Sequence, residues 1–402
     1  MRGIFTRVSG RRNGHPGPRG GLACVIGSMD LVRPLGLAGI GCAVVAEPGQ
    51  ITRYSRFTRA VVEWADPWTE PEVLLERLMR FGAAEAERPV LYYEGDWDLL
   101  LVSRRRERLR RVFRFVIPDA QLVEDLVDKD RFQALARRVA LPVPESRRVT
   151  PGEVEPGELG LTFPVIVKPV TRYISTWQPI AGRAKAMRAD TARDLSALWP
   201  RLAEGDFEVV VQELVPGPET RVESYHVYVD GQGVVVGEFT GRKIRTYPAA
   251  YGFSTALEIT DAPDVARLGR ELVDRLGLHG VAKFDFKRDP GGGLRLLEVN
   301  PRFNLWHHPG ARAGVNLPAM VYRDLMGLPR GPAPRARAGT RWVYHVHDVR
   351  AARQAGIPLR RWLPWALSAE AKSAVALDDP MPLVRGWLKR LTRPFGASRR
   401  RA

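Results

Sequence analysis

The chain has 402 residues, 62 Lys and Arg against 45 Asp and Glu, and a formal net charge of +17. That length suits two or three domains, and 45% hydrophobic residues exclude global disorder. No apolar run approaches the ~18 residues of a membrane span, and the two cysteines, Cys24 and Cys42, make neither a disulfide framework nor a zinc site.

In chain order, residues 1–22 hold five arginines and no acid, and read as a basic disordered tail. They lack the apolar core of a signal peptide, so a cytoplasmic protein is expected. Leu22–Gly27, Cys42–Ala46, Pro89–Tyr93 and Phe113–Ile117 are short apolar runs, with helical stretches such as Glu70–Phe81 between them. This alternation predicts a parallel α/β layer. The first turn has no GxGxxG, so a dinucleotide site is not expected. Asp128–Ala140 predicts a helix that Pro142 and Pro144 end. Phe163–Val167 predicts a strand, Asp190–Leu202 a helix capped by Asp190, and Glu208–Gln212 a strand. Tyr225–Val229 and Gly233–Thr240 form a hairpin around Asp230-Gly231. Asp264–Gly277 predicts a helix. Gly280–Lys287 and Leu294–Val299 are strands joined by the Gly-rich turn Pro290–Gly293.

From Gly331 the composition shifts. Gly331–Thr340 reads as a linker, and His345 and His347 share one face of an expected strand. Leu383, Val384, Trp387, Leu388 and Leu391 share one helical face, with Arg385, Lys389 and Arg390 elsewhere around it. Such a basic amphipathic helix either docks on anionic lipid at the inner face of the membrane or packs against the body. The charge sits at the ends: +5 in residues 1–22, +11 in 331–402 and +1 in 23–330. A nucleic-acid partner is therefore not expected from the folded body.

The densest chemistry lies in Lys283–Arg302, KFDFKRDPGGGLRLLEVNPR. Asp285 is on the first strand of this hairpin. Glu298 and Asn300 are two apart on the second and share a face. Hard oxygen donors on facing strands suit Mg2+ bound to nucleotide phosphates. Arg302, two residues on, adds a fixed positive charge.

LLEVNPR with KFDF upstream resembles the metal-binding core of the ATP-grasp superfamily, the carboxylate–amine and carboxylate–thiol ligases. The resemblance covers about residues 120–330 and is nearest to ligases of the D-aspartate ligase kind, which also show a segment like Gly241–Pro248. It implies an α/β (α+β ATP-grasp) fold: a Rossmann-like pre-ATP-grasp domain over 23–125, a two-subdomain ATP-grasp unit over 126–330, and a basic C-terminal segment over 331–402. Carried over residue by residue, it implies that Lys129 and Lys168 reach the nucleotide phosphates. Adenine would be read by backbone groups of Gln212, Glu213 and Val215, and ribose by Glu219. Lys243 and Arg245 would face the transferring phosphate. Asp285, Glu298 and Asn300 would hold Mg2+, with Mn2+ as a substitute, and Arg302 would hold the carboxylate or acyl phosphate. Lys283 departs from the pattern, since several relatives carry Glu or Arg there; its ammonium is assigned to phosphate or substrate carboxylate. The stretch Pro169–Arg183 carries one late glycine where many relatives have a Gly-rich flap. Only eight lysines occur in the chain; Lys185 and Lys287 are read as surface residues. His307 and His308 are assigned to lining the acceptor site or to structure.

The expectation is therefore an ATP- and Mg2+-dependent, ADP-forming ligase. It joins small-molecule carboxylate and amine substrates through an acyl phosphate. The alternative is a weakly catalytic nucleotide-binding module that tethers membrane or polyanion partners through its basic ends.

Overall fold

The apolar runs Ala23–Ile26, Cys42–Ala46 and Val90–Tyr93 of the N-terminal third form sheet strands that are buried along their whole length. The computed structural model describes residues 5–7, 20–170, 174–182, 184, 186–205, 207–250, 252–373, 376 and 378–391. The chain divides into two compact units. One comprises Met1–Ile117, Arg302–Pro334 and Ala371–Ala402, the other Pro118–Pro301 and Arg335–Glu370.

The first unit contains β1 (Phe5–Arg7), β2 (Ala23–Ile26), α1 (Met29–Leu37), β3 (Cys42–Ala46), β4 (Thr58–Glu63), α2 (Pro71–Ala84), β5 (Val90–Tyr93), α3 (Asp96–Arg104) and α4 (Arg106–Arg110). Its sheet runs β1-β4-β3-β2-β5. β2 is parallel to both β3 and β5, and β3 is parallel to β4. Cys24 and Cys42 are wholly buried in it as small core residues, and burial pushes the Cys42 thiol up to about 12.

The second unit contains α5 (Ala120–Val127), α6 (Lys129–Arg138), β6 (Ser146–Val149), β7 (Val165–Pro169), α7 (Ile174–Ala181), β8 (Met187–Ala189), α8 (Ala192–Ala203) and β9 (Val209–Glu213). β10 (Val222–Val229), β11 (Val235–Tyr247), β12 (Phe253–Thr260), α9 (Pro263–Leu276), β13 (Gly280–Arg288) and β14 (Leu294–Asn300) follow. Then α10 (His307–Arg312) and α11 (Leu317–Leu325) belong to the first unit, while β15 (Arg341–Val343), α12 (His345–Gln354) and α13 (Leu359–Ser368) return to the second. β16 (Ala371–Lys372) and α14 (Met381–Leu391) close the first unit.

Two sheets organise the second unit. The smaller runs β6-β9-β7-β8; the larger includes β14-β13-β10-β11-β12-β15 in that order. Each has one apolar face. Val165, Val167, Val209 and Val211 pack under Leu195, Trp199 and Leu202 of α8. Strand alternation therefore puts Ile166, Lys168, Val210 and Gln212 on the opposite face. In the larger sheet Tyr225, Val227, Phe284 and Phe286 pack with Phe132 and Leu135 of α6 and Leu272 of α9. Ser224, His226, Lys283, Asp285 and Lys287 consequently occupy the other face.

The structure corrects several expectations. Phe5–Arg7, placed in a disordered tail, pairs antiparallel with β4. Phe113–Ile117, expected as a strand, contributes a single bridge, Val90 to Arg114, and the parallel layer instead uses β4, whose TRAVVE pattern has a weaker apolar run. The helix expected from Asp190 is capped by Thr191, whose hydroxyl accepts from the Asp194 N–H. His345 and His347 lie on α12, because the buried positions Asp348, Ala351 and Ala352 follow a helical spacing. The segment 331–402 is shared between the two units, and Arg302–Pro334 belongs to the first rather than to the body expected to run to 330. Long-range polar contacts fix this return: Tyr92 donates to the Pro318 carbonyl at 2.9 Å, and buried Asp379 accepts from Ser55 Oγ at 2.7 Å and from the Arg56 N–H at 2.8 Å. α14 packs on the 3-10 turn Ile51–Tyr54, with the Arg385 guanidinium 5.3 Å from the Tyr54 ring centre. The side chains of Trp387, Leu388, Lys389, Arg390 and Leu391, Lys185, and residues 171–173 and 183 of the expected flap lie outside the described residues.

Candidate active site

The hairpin β13–β14 brings the three expected oxygen donors together by register. Asp285 pairs with Glu298, and Lys283 with Asn300. Asp285 is buried and accepts from Ser224 Oγ on the neighbouring β10. Lys283 Nζ lies 2.5 Å from Asp285 Oδ2. The Asn300 amide donates to Glu298 Oε1 at 3.1 Å. Two carboxylates and one amide oxygen on adjacent strands are the donor chemistry that Mg2+ takes when nucleotide phosphates complete its shell, so these residues fit that ion. The Lys283 ammonium holds one oxygen of Asp285. This places Lys283 on a carboxylate of the donor group rather than on an independent phosphate site.

The two expected phosphate lysines come from different elements. Lys168 is on β7, opposite Val210 of β9. Lys129 starts α6, where Asp128 caps the helix, and its Nζ donates to the carbonyl of Pro169, the residue after Lys168. Gln212 ends the buried part of β9. Glu213 follows it, with its carboxylate accepting from the Thr162 N–H at 2.9 Å. Val215 is buried just beyond.

Glu219 opens the 3-10 turn that leads into β10. Its two oxygens face two lysines, Lys243 Nζ at 3.7 Å and Lys287 Nζ at 3.8 Å. Lys287, expected on the surface, is buried. Burial holds its ammonium below the usual lysine range, and the Lys243 and Arg188 charges act in the same direction, against Glu219. The alternation that singled out Lys283 and Asp285 carries on to Lys287, so this residue was available to sequence reasoning and was missed. Arg188 on β8, also unanticipated, brings positive charge from the smaller sheet, although its guanidinium pairs with Asp190.

Arg245 does not join Lys243. β11 has an irregularity between them: Lys243 pairs with Leu257, but Arg245 pairs with Ala256. The slip turns Arg245 to the opposite face. There it makes a two-pronged ion pair with Asp348 of α12, at 2.9 and 2.7 Å, and its guanidinium lies 4.0 Å from the Trp365 ring centre. Asp348 is fully buried and also accepts from Thr255 Oγ1 and Trp362 Nε1. Arg245 is thus a packing residue, and its assignment to the transferring phosphate is withdrawn.

Arg302 lies in the first unit. Its Nε donates to Asp96 at 2.5 Å and its Nη1 to the Glu94 carbonyl at 2.7 Å. The Glu94 carboxylate accepts from the Ser28 N–H and hydroxyl at 2.5 and 3.0 Å. Burial nonetheless raises Glu94 to about 7 and neighbouring Asp98 to about 6. Ser28 follows β2 and Glu94 follows β5, so the group stands at the carboxyl ends of two adjacent parallel strands, where open α/β sheets place ligands. His307 and His308 are core residues. His308 Nδ1 lies 2.9 Å from buried Asp30, and burial pushes His307 down to about 3.

Among the described residues, no helix is long and apolar enough to cross a membrane. A family model described as "ATP-grasp in the biosynthetic pathway with Ter operon" matches residues 208–348. The chain is 25% identical to a D-aspartate ligase of Enterococcus faecium over 291 residues, 68% of each chain. It is 31% identical over 183 residues to a D-alanine–D-alanine ligase of Stutzerimonas stutzeri, covering 43% of this chain and about half, 54%, of that one. Among solved structures it resembles the ADP complex of an N5-carboxyaminoimidazole ribonucleotide synthetase, with TM-score 0.62 and 16% identity over 84% of this chain and 85% of that one. It also resembles a biotin carboxylase of Campylobacter jejuni, with TM-score 0.60 and 13% identity over 79% and 74%. The structural likenesses establish the fold.

Proposed function

We propose that this chain, an ADP-forming carboxylate–amine ligase of the ATP-grasp superfamily, works through an acyl phosphate at the face that carries Asp285, Glu298 and Asn300. The relatives are named for ligation of D-aspartate and D-alanine, so we assign small amino-acid-class molecules as the carboxylate and the amine. ATP is the phosphoryl donor.

In the first step a substrate carboxylate oxygen attacks the γ-phosphorus and ADP leaves. In the second the amine nitrogen attacks the acyl carbon, phosphate leaves, the nitrogen loses a proton and an amide forms. Asp285, Glu298 and Asn300 would hold Mg2+. Once bound, that ion would neutralise charge on the phosphate oxygens. Lys168 and Lys243 face the charge that develops on those oxygens, where fixed cations lower a phosphoryl-transfer barrier most. Lys129 supports the Lys168 strand end through the Pro169 carbonyl. Gln212, Glu213 and Val215 offer backbone groups to adenine, and Glu219 offers its carboxylate to ribose. Arg302, its orientation fixed by Asp96 and the Glu94 carbonyl, is assigned to the substrate carboxylate.

The observation that carries this reading is the register that brings Asp285 opposite Glu298 and leaves Asn300 on the same face. The test is an ADP-release screen over pairs of amino acids and other small carboxylates and amines, with mass analysis of the product. ADP release that needs both partners, with a product mass equal to their sum less one water, is expected. ATP hydrolysis indifferent to every pair would contradict it.

A further inference from the structure

On the face that carries Asp285, two lysines, Lys243 and Lys287, share the carboxylate of Glu219. Lys287 on β13 stands opposite Val222 of β10, and Glu223 of β10 stands opposite Arg242 of β11. Lys287, Val222 and Lys243 therefore lie in one row across three strands. The two lysines are about 10 Å apart at the backbone, two strand spacings. Glu219 precedes β10 by three residues and sits between them, giving one oxygen to each ammonium. Lys287 is two residues from Asp285 on the same face, about 7 Å along the strand.

Charge accounting separates the two lysines from an ordinary ion pair. Lys287 has a side chain only 5% exposed, and among the described residues it shares its one acidic ion-pair partner with a second lysine. A buried ammonium with half a counter-charge is expensive. The surplus positive charge suits an anion at this point, and Arg188 adds to it from the smaller sheet. Glu219 retains acceptor capacity, since each carboxylate oxygen has about two lone pairs and gives one to a lysine.

We infer that Lys287 is a second strand-borne cation for the nucleotide's phosphate chain, acting with Lys243 across Glu219. This rests on the ATP reading of the site. It adds a residue and a division of labour: the lysines serve phosphate, and the carboxylate between them serves the ribose hydroxyls.

The test is calorimetric binding of MgADP and of adenosine to the full chain. Lys287→Met is expected to weaken MgADP at least tenfold and to leave adenosine within about twofold. Equal weakening of both ligands, or of neither, would overturn the inference. Glu219→Gln and the double variant Glu219→Gln/Lys287→Met give a second comparison, needed if the single lysine variant does not fold. If Lys287 serves phosphate, the double variant binds MgADP at least tenfold more weakly than Glu219→Gln alone. If Lys287 merely holds Glu219, the two bind MgADP alike and the inference fails. Wild-type protein that binds adenosine and MgADP equally would refute a phosphate site here. Binding of neither would instead remove the nucleotide reading on which the inference rests.

Discussion

Lys243 and Arg245 are two residues apart on β11 and face opposite sides of the sheet. The irregularity between them sends the lysine to Glu219 and the arginine to buried Asp348. Similar residues in one short motif thus make unrelated contacts, one with Glu219 and one in the packing of α12 against the strand.

Replacing them should separate those roles. Arg245→Ala leaves Asp348 buried without its main counter-charge, so a loss of about 3 kcal/mol is expected. Lys243→Ala should leave thermal unfolding nearly unchanged and suppress ADP release. Thermal melts and ADP-release rates on both variants check this. An Arg245→Ala protein as stable as wild type would contradict the packing role.

Lys168 should matter to nucleotide affinity rather than to folding. Its side chain stands on the face of β7 away from the α8 core. Lys168→Ala should cost about 2 kcal/mol of ATP binding, the scale of a charged hydrogen bond, or about thirtyfold in KM for ATP. Steady-state kinetics at varied ATP checks it. An unchanged KM would remove the lysine from the phosphate site.

The group around Glu94 predicts a pH dependence. Burial raises the Glu94 carboxyl from 4.5 to about 7, so the native state keeps a proton that the unfolded chain has lost. The resulting stability is complete below about pH 4.5 and is lost as pH rises through about 7. Asp98, raised to about 6, adds in the same direction. Unfolding temperatures should therefore fall from pH 5 to pH 8. Glu94→Gln, which never ionises, should fall less steeply. Parallel pH profiles for the two proteins would contradict this.

The return of the chain to the first unit predicts that Asp379 holds the C-terminal segment down. Asp379→Ala leaves Ser55 Oγ and the Arg56 N–H short of an acceptor, at a cost of about 2 kcal/mol. Limited proteolysis should cut residues 371–391 sooner in the variant. Identical cleavage kinetics would show that other contacts suffice.

Period-two alternation made the face of Asp285, Glu298 and Asn300 legible in the sequence, because both strands are apolar on their other side. The same alternation reaches Lys287, and only the habit of reading lysine as solvated hid it. The irregularity before Arg245 was not legible: a one-residue slip leaves no mark in composition, yet it reverses the side chain. The spacing of two in His345 and His347 suits a strand, but the buried positions Asp348, Ala351 and Ala352 that follow have the helical spacing of α12. The mixed membership of residues 302–402 rests on contacts such as Tyr92 with Pro318, which no local pattern announces.

The proposed function rests on Asp285, Glu298 and Asn300 as the group that would hold the metal for ATP-dependent ligation. ADP release by Glu298→Ala, measured beside wild type with an accepted substrate pair and with thermal melts on both, tests it most directly. ADP release should fall to background while the melt stays within a few degrees of wild type. A folded Glu298→Ala protein that releases ADP at the wild-type rate would contradict it.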